Sequence, residues 1–131
     1  MITKSPSGAL SPYYYKGGYF HGIHYGSYFE NVEALFNMMD QEEQFILKCH
    51  EQKRILIDLY QTSIEQNVIE RLIQHLEKIS PRIFKLAIAT DKINLKKIHK
   101  AIKGDKTCQS IYCYFSTDME EAKTWLVSDY C

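Results

Sequence analysis

Apolar residues recur along the chain in two rhythms. Ile55, Leu56, Ile57 and Leu59 form a nearly unbroken run inside Arg54–Ser63, the pattern of a short strand covered on both faces, as in a parallel sheet. Ile83 to Thr90 (Ile-Phe-Lys-Leu-Ala-Ile-Ala-Thr) repeats that pattern, and Ser110 to Ser116 predicts a further strand. Between these runs the spacing changes to that of one helical face. Val32, Leu35, Phe36, Met39, Ile46 and Cys49, with Glu33, Asp40, Glu43 and Lys48 between them, predict an amphipathic helix within Glu30–Gln52. Val68, Ile69, Leu72, Ile73, Leu76 and Ile79 predict a second over Ile64–Ile79, stopped by Pro81. Leu95, Ile98, Ala101 and Ile102 mark a short helix closed by Gly104, and Met119, Ala122, Trp125 and Leu126 mark a last one.

Polar residues stand where these elements should begin. Thr62-x-x-Glu65 and Ser63-x-x-Gln66 both fit the capping box, in which side chains satisfy the orphan amides of a first helical turn. Asp91 or Asn94 is placed to cap the third helix, and Thr117-Asp118-Met119-Glu120 to open the last. Asp58, Tyr60, Thr62 and Ser63 therefore follow one strand and Asp91 the next, at the carboxyl ends where open α/β sheets usually place ligands. Upstream, Tyr13 to Tyr28 is rich in Tyr and Phe punctuated by Gly, with Lys16-Gly17-Gly18 as a turn signal, and predicts an aromatic strand or hairpin. Residues 1–12, rich in Ser, Gly, Thr and Pro, read as a flexible N-terminal arm, leaving 13–131 as one domain. Strands and helices alternate, so the expected class is α/β: a mainly parallel sheet of four or five strands with helices packed on it.

Composition narrows the function classes less than the pattern narrows the fold. With 131 residues, a single domain can bury roughly two thirds of its unfolded surface. Sixteen basic and sixteen acidic side chains cancel, which argues against nucleic acid as the partner in the absence of a recognised binding module. Cys49, Cys108, Cys113 and Cys131 lack metal-type spacing, and no secretory segment is evident, so reduced thiols in a cytoplasmic protein are expected. No apolar run approaches the ~18–20 residues of a bilayer span.

Several constellations invite chemistry. His21 and His24 are three apart, so on a strand they point to opposite faces and cannot easily chelate one ion; no metal site and no cofactor are expected. Cys49-His50 could pair a thiolate with a base, but Cys49 continues the apolar stripe and is expected to pack as a small hydrophobe. Lys96, Lys97, Lys100 and Lys103 make a basic helix face able to attract an anionic partner. Tyr13, Tyr15, Tyr19 and Tyr25 are candidates for an aromatic interface, including one between two copies of the chain. Asp58 or Asp91 could act as a general base only within a pocket that perturbs it.

Ile-Leu-Ile-Asp-Leu before a capped helix, then Phe-Lys-Leu-Ala-Ile-Ala-Thr-Asp, then Tyr-Phe-Ser-Thr-Asp-Met-Glu-Glu-Ala-Lys-Thr-Trp-Leu resembles the STAS-like (SpoIIAA-like) domains, the small stand-alone bacterial type, over about residues 54–127. The resemblance implies a β-α superhelix that acts as a protein-interaction or ligand-sensing module in signalling. It also implies a phosphoacceptor serine at the head of the helix after the Ile-Asp-Leu strand, which here is Ser63. The Asp-Ser-Ser-Gly signature of that branch is absent, and Ser63 precedes Ile64-Glu65-Gln66, where helix capping is the plainer role. The expected function is thus a non-enzymatic interaction module, with a protein partner or a second copy. A small-molecule or lipid carrier using Tyr60, Thr62 and Ser63 is the alternative, and a hydrolytic enzyme ranks third.

Overall fold

The computed structural model describes residues 3–130. In chain order they form β1 (Thr3–Lys4), β2 (Leu10–Ser11), β3 (Tyr13–Tyr15), β4 (Gly18–His24), α1 (Val32–Leu47), β5 (Lys53–Asp58), α2 (Gln66–Ile79), β6 (Ile83–Ala89), α3 (Lys92–Lys103), β7 (Cys113–Ser116) and α4 (Met119–Leu126). The main sheet runs β3-β4-β5-β6-β7, with β4 to β7 parallel and β3 antiparallel at one edge. This is the α/β class with a mostly parallel sheet that the alternating pattern predicts.

The parallel strands lie side by side in chain order, so every crossover steps in the same direction. Right-handed crossovers then carry α1, α2 and α3 to one face of the sheet. Their apolar stripes meet Ile23, Ile55, Ile57, Leu86 and Ile88 in one core. The alternate strand positions, Phe20, Leu56, Ala87 and Ala89, meet Ala122, Leu126 and Val127 of the α4 segment in a second. The period of two along β5 and β6 therefore divides one apolar run between two cores. Small alanines on β6 let α4 lie close to the sheet.

The tyrosine-rich segment folds as a hairpin. Lys16 (φ 46°) and Gly17 (φ 84°) are both left-handed, the two-residue turn whose twist matches antiparallel strands. β3 is only three residues long, so β4 keeps an unpaired outer edge beyond it. The expected flexible arm fills that edge. β1 pairs antiparallel with β2, Ser5 Oγ donates to Gly22 O at 3.2 Å, and His24 N donates to Ser7 Oγ at 2.9 Å. An exposed parallel-strand edge needs such cover; the serines that read as loop formers are its hydrogen-bonding partners. Met1, Ile2 and Cys131 lie outside the described residues.

Helix starts differ from expectation in two places. α2 begins at Gln66, with Glu65 at its N-cap position and no side-chain cap, so neither Thr62 nor Ser63 caps it. The chain leaves β5 through a left-handed Gln61 (φ 60°) and stays extended, with Thr62 bridging to Phe29 in parallel. α4 is capped by Asp118, whose carboxylate accepts from Glu120 N at 2.9 Å, not by Thr117. Of the two candidates for α3, Asp91 is the cap, accepting from Asn94 N at 3.0 Å. α1 ends at Leu47, and Cys49 is exposed rather than part of the apolar stripe.

Close contact between α4 and β6 depends on small side chains. Ala87→Leu adds volume where Ala122 and Leu126 already fill the space, and overpacking of this kind should destabilise the protein by about 1–3 kcal/mol. Urea denaturation checks this; an unchanged midpoint would mean that α4 can move away from the sheet freely.

Candidate functional site

The carboxyl ends of the strands, expected to present a ligand site, are tied together internally. His24 Nδ1 lies 2.9 and 3.0 Å from the two oxygens of Asp58. Residues 25–29 run alongside 58–63: Tyr25 N donates to Asp58 O, Ser27 N to Tyr60 O, and Phe29 N to Gln61 O, at 2.7–2.9 Å. Gly26 makes this approach feasible, because a Cβ there would stand 2.6 Å from Asp58 Oδ1 and 2.8 Å from Tyr60 O. Thr62 is buried; its hydroxyl donates to Tyr25 O at 2.5 Å and accepts from Tyr28 N at 3.2 Å. Tyr60 OH donates to Thr117 O at 2.7 Å. Burial pushes the Tyr60 hydroxyl above its ordinary pKa, and Asp118, Asp58 and Asp91 add to the rise. Ser63 Oγ faces Glu65 Oε1 at 3.3 Å. Asp58, Tyr60, Thr62 and Asp91 thus hold loops and a helix start.

The predicted aromatic interface is divided between faces. Tyr25 is fully buried and cannot contribute; it follows Ile23 on the face covered by α1–α3 because alternate residues of a strand share a face. Tyr13 and Tyr15 pack beside Phe20 in the core under α4, and Tyr15 OH donates to Glu120 Oε2 at 2.5 Å. Tyr19 is 51% exposed and stands with Tyr14, 63% exposed, on the other face of the hairpin. Lys96, Lys97, Lys100 and Lys103 are exposed along α3, as the sequence predicts. Lys97 and Lys100 line a groove of about 490 Å³ between the start of α2 and α3, together with Ile64, Glu65, Gln66, Ile69 and Ala101.

A buried polar network lies where the sequence suggested only amphipathic helices. Glu42 and Glu43, consecutive on α1, are both buried. Glu42 Oε1 meets His21 Nε2 at 3.0 Å, and its other oxygen accepts from Ser7 N at 3.0 Å. His21 Nδ1 lies 2.8 Å from Ser11 Oγ. Burial would raise the Glu42 carboxyl, but hydrogen bonding and attraction to His21, together with hydrogen bonding from Ser7, outweigh this and lower it. Glu43 Oε2 accepts from His75 Nδ1 at 2.7 Å and from Arg71 Nη1 at 2.9 Å, while Lys78 reaches Oε1 at 3.2 Å. On the far side of the ring, Tyr25 OH meets His75 Nε2 at 2.8 Å.

The directions of the pKa shifts in this second chain agree with its geometry. Burial would raise Glu43, but the hydrogen bonds from His75 and Arg71 prevail and hold it at about 2. Burial lowers His75 more than Glu43 raises it, so the imidazole is neutral, donating from Nδ1 and accepting from Tyr25. Burial, reinforced by Glu42 and Glu43, pushes the Tyr25 hydroxyl well above its ordinary pKa, which keeps it a phenol donor. A carboxylate–imidazole–hydroxyl chain has the connectivity of a nucleophile relay. With Tyr25 fully buried, however, it joins α1, α2 and β4 and gives no substrate access.

At the opposite end of the sheet a cleft of about 510 Å³ opens beside the first residues of β4, β5 and β6. Arg54 stands between the rings of Tyr130 and Phe84, 4.0 and 4.9 Å from their centroids, and donates to Leu126 O at 2.8 Å and to Asp129. Lys85 is buried beside it, 4.2 Å from the Trp125 ring, and donates to Trp125 O at 2.7 Å.

His21 turns inward to Glu42 and His24 toward Asp58, and among the described residues no group of three or more His, Cys, Asp or Glu is placed to hold a metal ion. Burial pushes the Cys108 and Cys113 thiols up to about 12, which makes them poor nucleophiles. No helix among these residues is long and apolar enough to cross a membrane. Comparisons of the chain with protein-family models, curated proteins and solved structures find no match.

The network makes stability depend on pH. Glu43 has a folded pKa of about 2 against an ordinary 4.5, so its contribution is complete above pH 4.5 and is lost as pH falls toward 2, about 3 kcal/mol in all. His75 is depressed below 6.5; below that pH the unfolded chain takes up a proton that the folded one refuses, so the decline starts there. Asp129, held at about 2 chiefly by its bond to Arg54, adds little because it is half in solvent. Glu43→Gln should lose about 3 kcal/mol at pH 7 and flatten the curve between pH 4.5 and 2. Urea titrations of both proteins across pH 2–8 read this directly, and parallel curves would refute it.

Proposed function

We propose that the chain is a non-enzymatic interaction module of the STAS-like kind, a β-α superhelix that recognises an acidic partner protein through α3 and its groove against α2. The observation that carries the reading is the groove itself. Ile64, Ile69 and Ala101 line it together with Lys97 and Lys100, against the single carboxylate of Glu65 and the amide of Gln66, with Lys96 and Lys103 exposed on the same helix and Ile93 exposed at its start. Apolar contact beside basic side chains suits a partner helix or loop that carries carboxylates, and the charge hastens encounter as well as orienting it.

Two further observations support the reading. Parallel strands in chain order with three helices on one face fit a superhelix. The polar residues at the carboxyl ends, Asp58, Tyr60, Thr62 and Asp91, are engaged in internal hydrogen bonds, which disfavours a hydrolytic site or a carrier cavity there. A cytoplasmic setting belongs to the same proposal and suits the free thiols of Cys49, Cys108 and Cys113. Regulation through phosphate on Ser63 is its weakest element, because the hydroxyl faces the Glu65 carboxylate at 3.3 Å and a phosphate would meet negative charge.

Affinity isolation with the wild-type chain and with a variant carrying Lys96→Glu, Lys97→Glu, Lys100→Glu and Lys103→Glu tests the reading. The wild type should retain an acidic protein in near-stoichiometric amount, released by raised salt. The charge-reversed chain, folded by circular dichroism, should lose it at least about tenfold. Retention of the same protein by both chains, or no stoichiometric partner for either, would sink the proposal.

A further inference from the structure

We propose that the cleft at the amino ends of the parallel strands binds a small planar aromatic anion, a ring system carrying a carboxylate or a phosphate. This site is separate from the α2–α3 groove and does not depend on the interaction reading. Its volume of about 510 Å³ is that of a small-molecule site. Its position is unusual for an α/β sheet, in which ligands gather at the carboxyl ends. Here those ends are closed by the pairing of residues 25–29 with 58–63, and the open concavity lies at the other end.

The walls determine the ligand chemistry. Tyr14 and Tyr19 are more than half exposed, and their ring centroids are 5.9 Å apart, with Tyr130 5.8 Å from Tyr19. Ring faces left open in a concave surface favour a flat aromatic guest, which stacks at little conformational expense. Lys53 and Arg54 line the same cleft, and Glu51 is the one carboxylate among its lining residues. Arg54 is already held by Asp129 and stacked between Tyr130 and Phe84. Half-buried Lys53 makes no ion pair among the described residues. A cationic guest, the usual occupant of an aromatic cage, would face both of these positive side chains. An anionic one would give Lys53 its partner.

Amide chemical-shift titrations of the full chain with 1-naphthoate and with adenosine monophosphate test the proposal. Naphthalenemethanol and adenosine serve as neutral counterparts, and naphthylmethylammonium as the cation. At least one anion should shift Tyr19, Lys53, Arg54 and Phe84 with a dissociation constant of about 1 mM or tighter. Its neutral counterpart should bind about tenfold more weakly, the amount a charge-assisted hydrogen bond supplies. Lys53→Met should remove that tenfold preference while leaving the neutral compound's affinity and the thermal midpoint unchanged, and Tyr19→Ala should weaken both. Whether the nucleotide or the carboxylate binds identifies the source of the anion. No shifts with either anion at about 10 mM, equal binding of neutral or cationic counterparts, or shifts confined to the α3 lysines would each overturn it.

Discussion

Helix α1 carries two consecutive carboxylates into the interior, and the chain can close only if both find hydrogen-bonded partners. Neighbouring residues on a helix point about 100° apart, so Glu42 and Glu43 reach different elements: His21 on β4 and His75 on α2. Removing one partner of such a buried pair leaves an uncompensated charge, at a cost of roughly 3–5 kcal/mol. The rotation of α1 about its axis is thereby fixed relative to both neighbours. Apolar packing of Leu35, Met39 and Ile46 against the sheet tolerates small rotations; two directional contacts at one point do not. The same residues draw the N-terminal segment inward, since Ser7 N donates to Glu42 and Ser11 Oγ meets His21.

That dependence explains which parts of the architecture were legible in the sequence. The runs Ile55–Leu59 and Ile83–Thr90 announce buried strands because burial on both faces is written locally, and Asp91 announces its cap because the bonded amide is three residues away. The network joins residues 21 and 32 positions apart, which no local pattern contains. One trace was present. Leu35, Met39, Glu42 and Ile46 follow the spacing of a single apolar face, as do Val68, Leu72, His75 and Ile79, so a glutamate and a histidine each occupy a position that the period assigns to the core. A polar residue on an apolar stripe requires a partner, and two such residues on adjacent helices can supply one another.

The carboxyl-end residues illustrate the opposite failure. Thr62 and Ser63 match a capping pattern, yet the chain remains extended through them because residues 25–29 offer backbone partners that the pattern cannot register. Thr62 satisfies Tyr25 O and Tyr28 N in place of a helix amide. A local preference worth about 1 kcal/mol yields to several non-local hydrogen bonds. The tyrosines divide between faces for a related reason: composition shows how many aromatics there are, whereas strand period decides which face each takes. Tyr25 enters the core, Tyr13 and Tyr15 lie under α4, and Tyr14 and Tyr19 remain outside.

Extending the pairing of β4 and β5 beyond the strands has a consequence for the whole molecule. Each backbone hydrogen bond formed by residues 25–29 fastens the end of the sheet where helix starts and strand ends usually frame a ligand. Gly26 allows a separation that a Cβ would forbid, and His24 and Asp58 close the side-chain layer above it. At the amino ends no such continuation exists among the described residues. β3 stops after three residues, α4 packs on β5, β6 and β7, and Arg54 and Lys85 hold the last turn of α4 by donating to Leu126 O and Trp125 O. Aromatic rings and cations are left around a hollow that no helix fills. In this chain the conventional end of an α/β sheet is occupied by the protein's own backbone, and the two surfaces proposed for recognition lie instead between α2 and α3 and at the amino-terminal edge of the sheet.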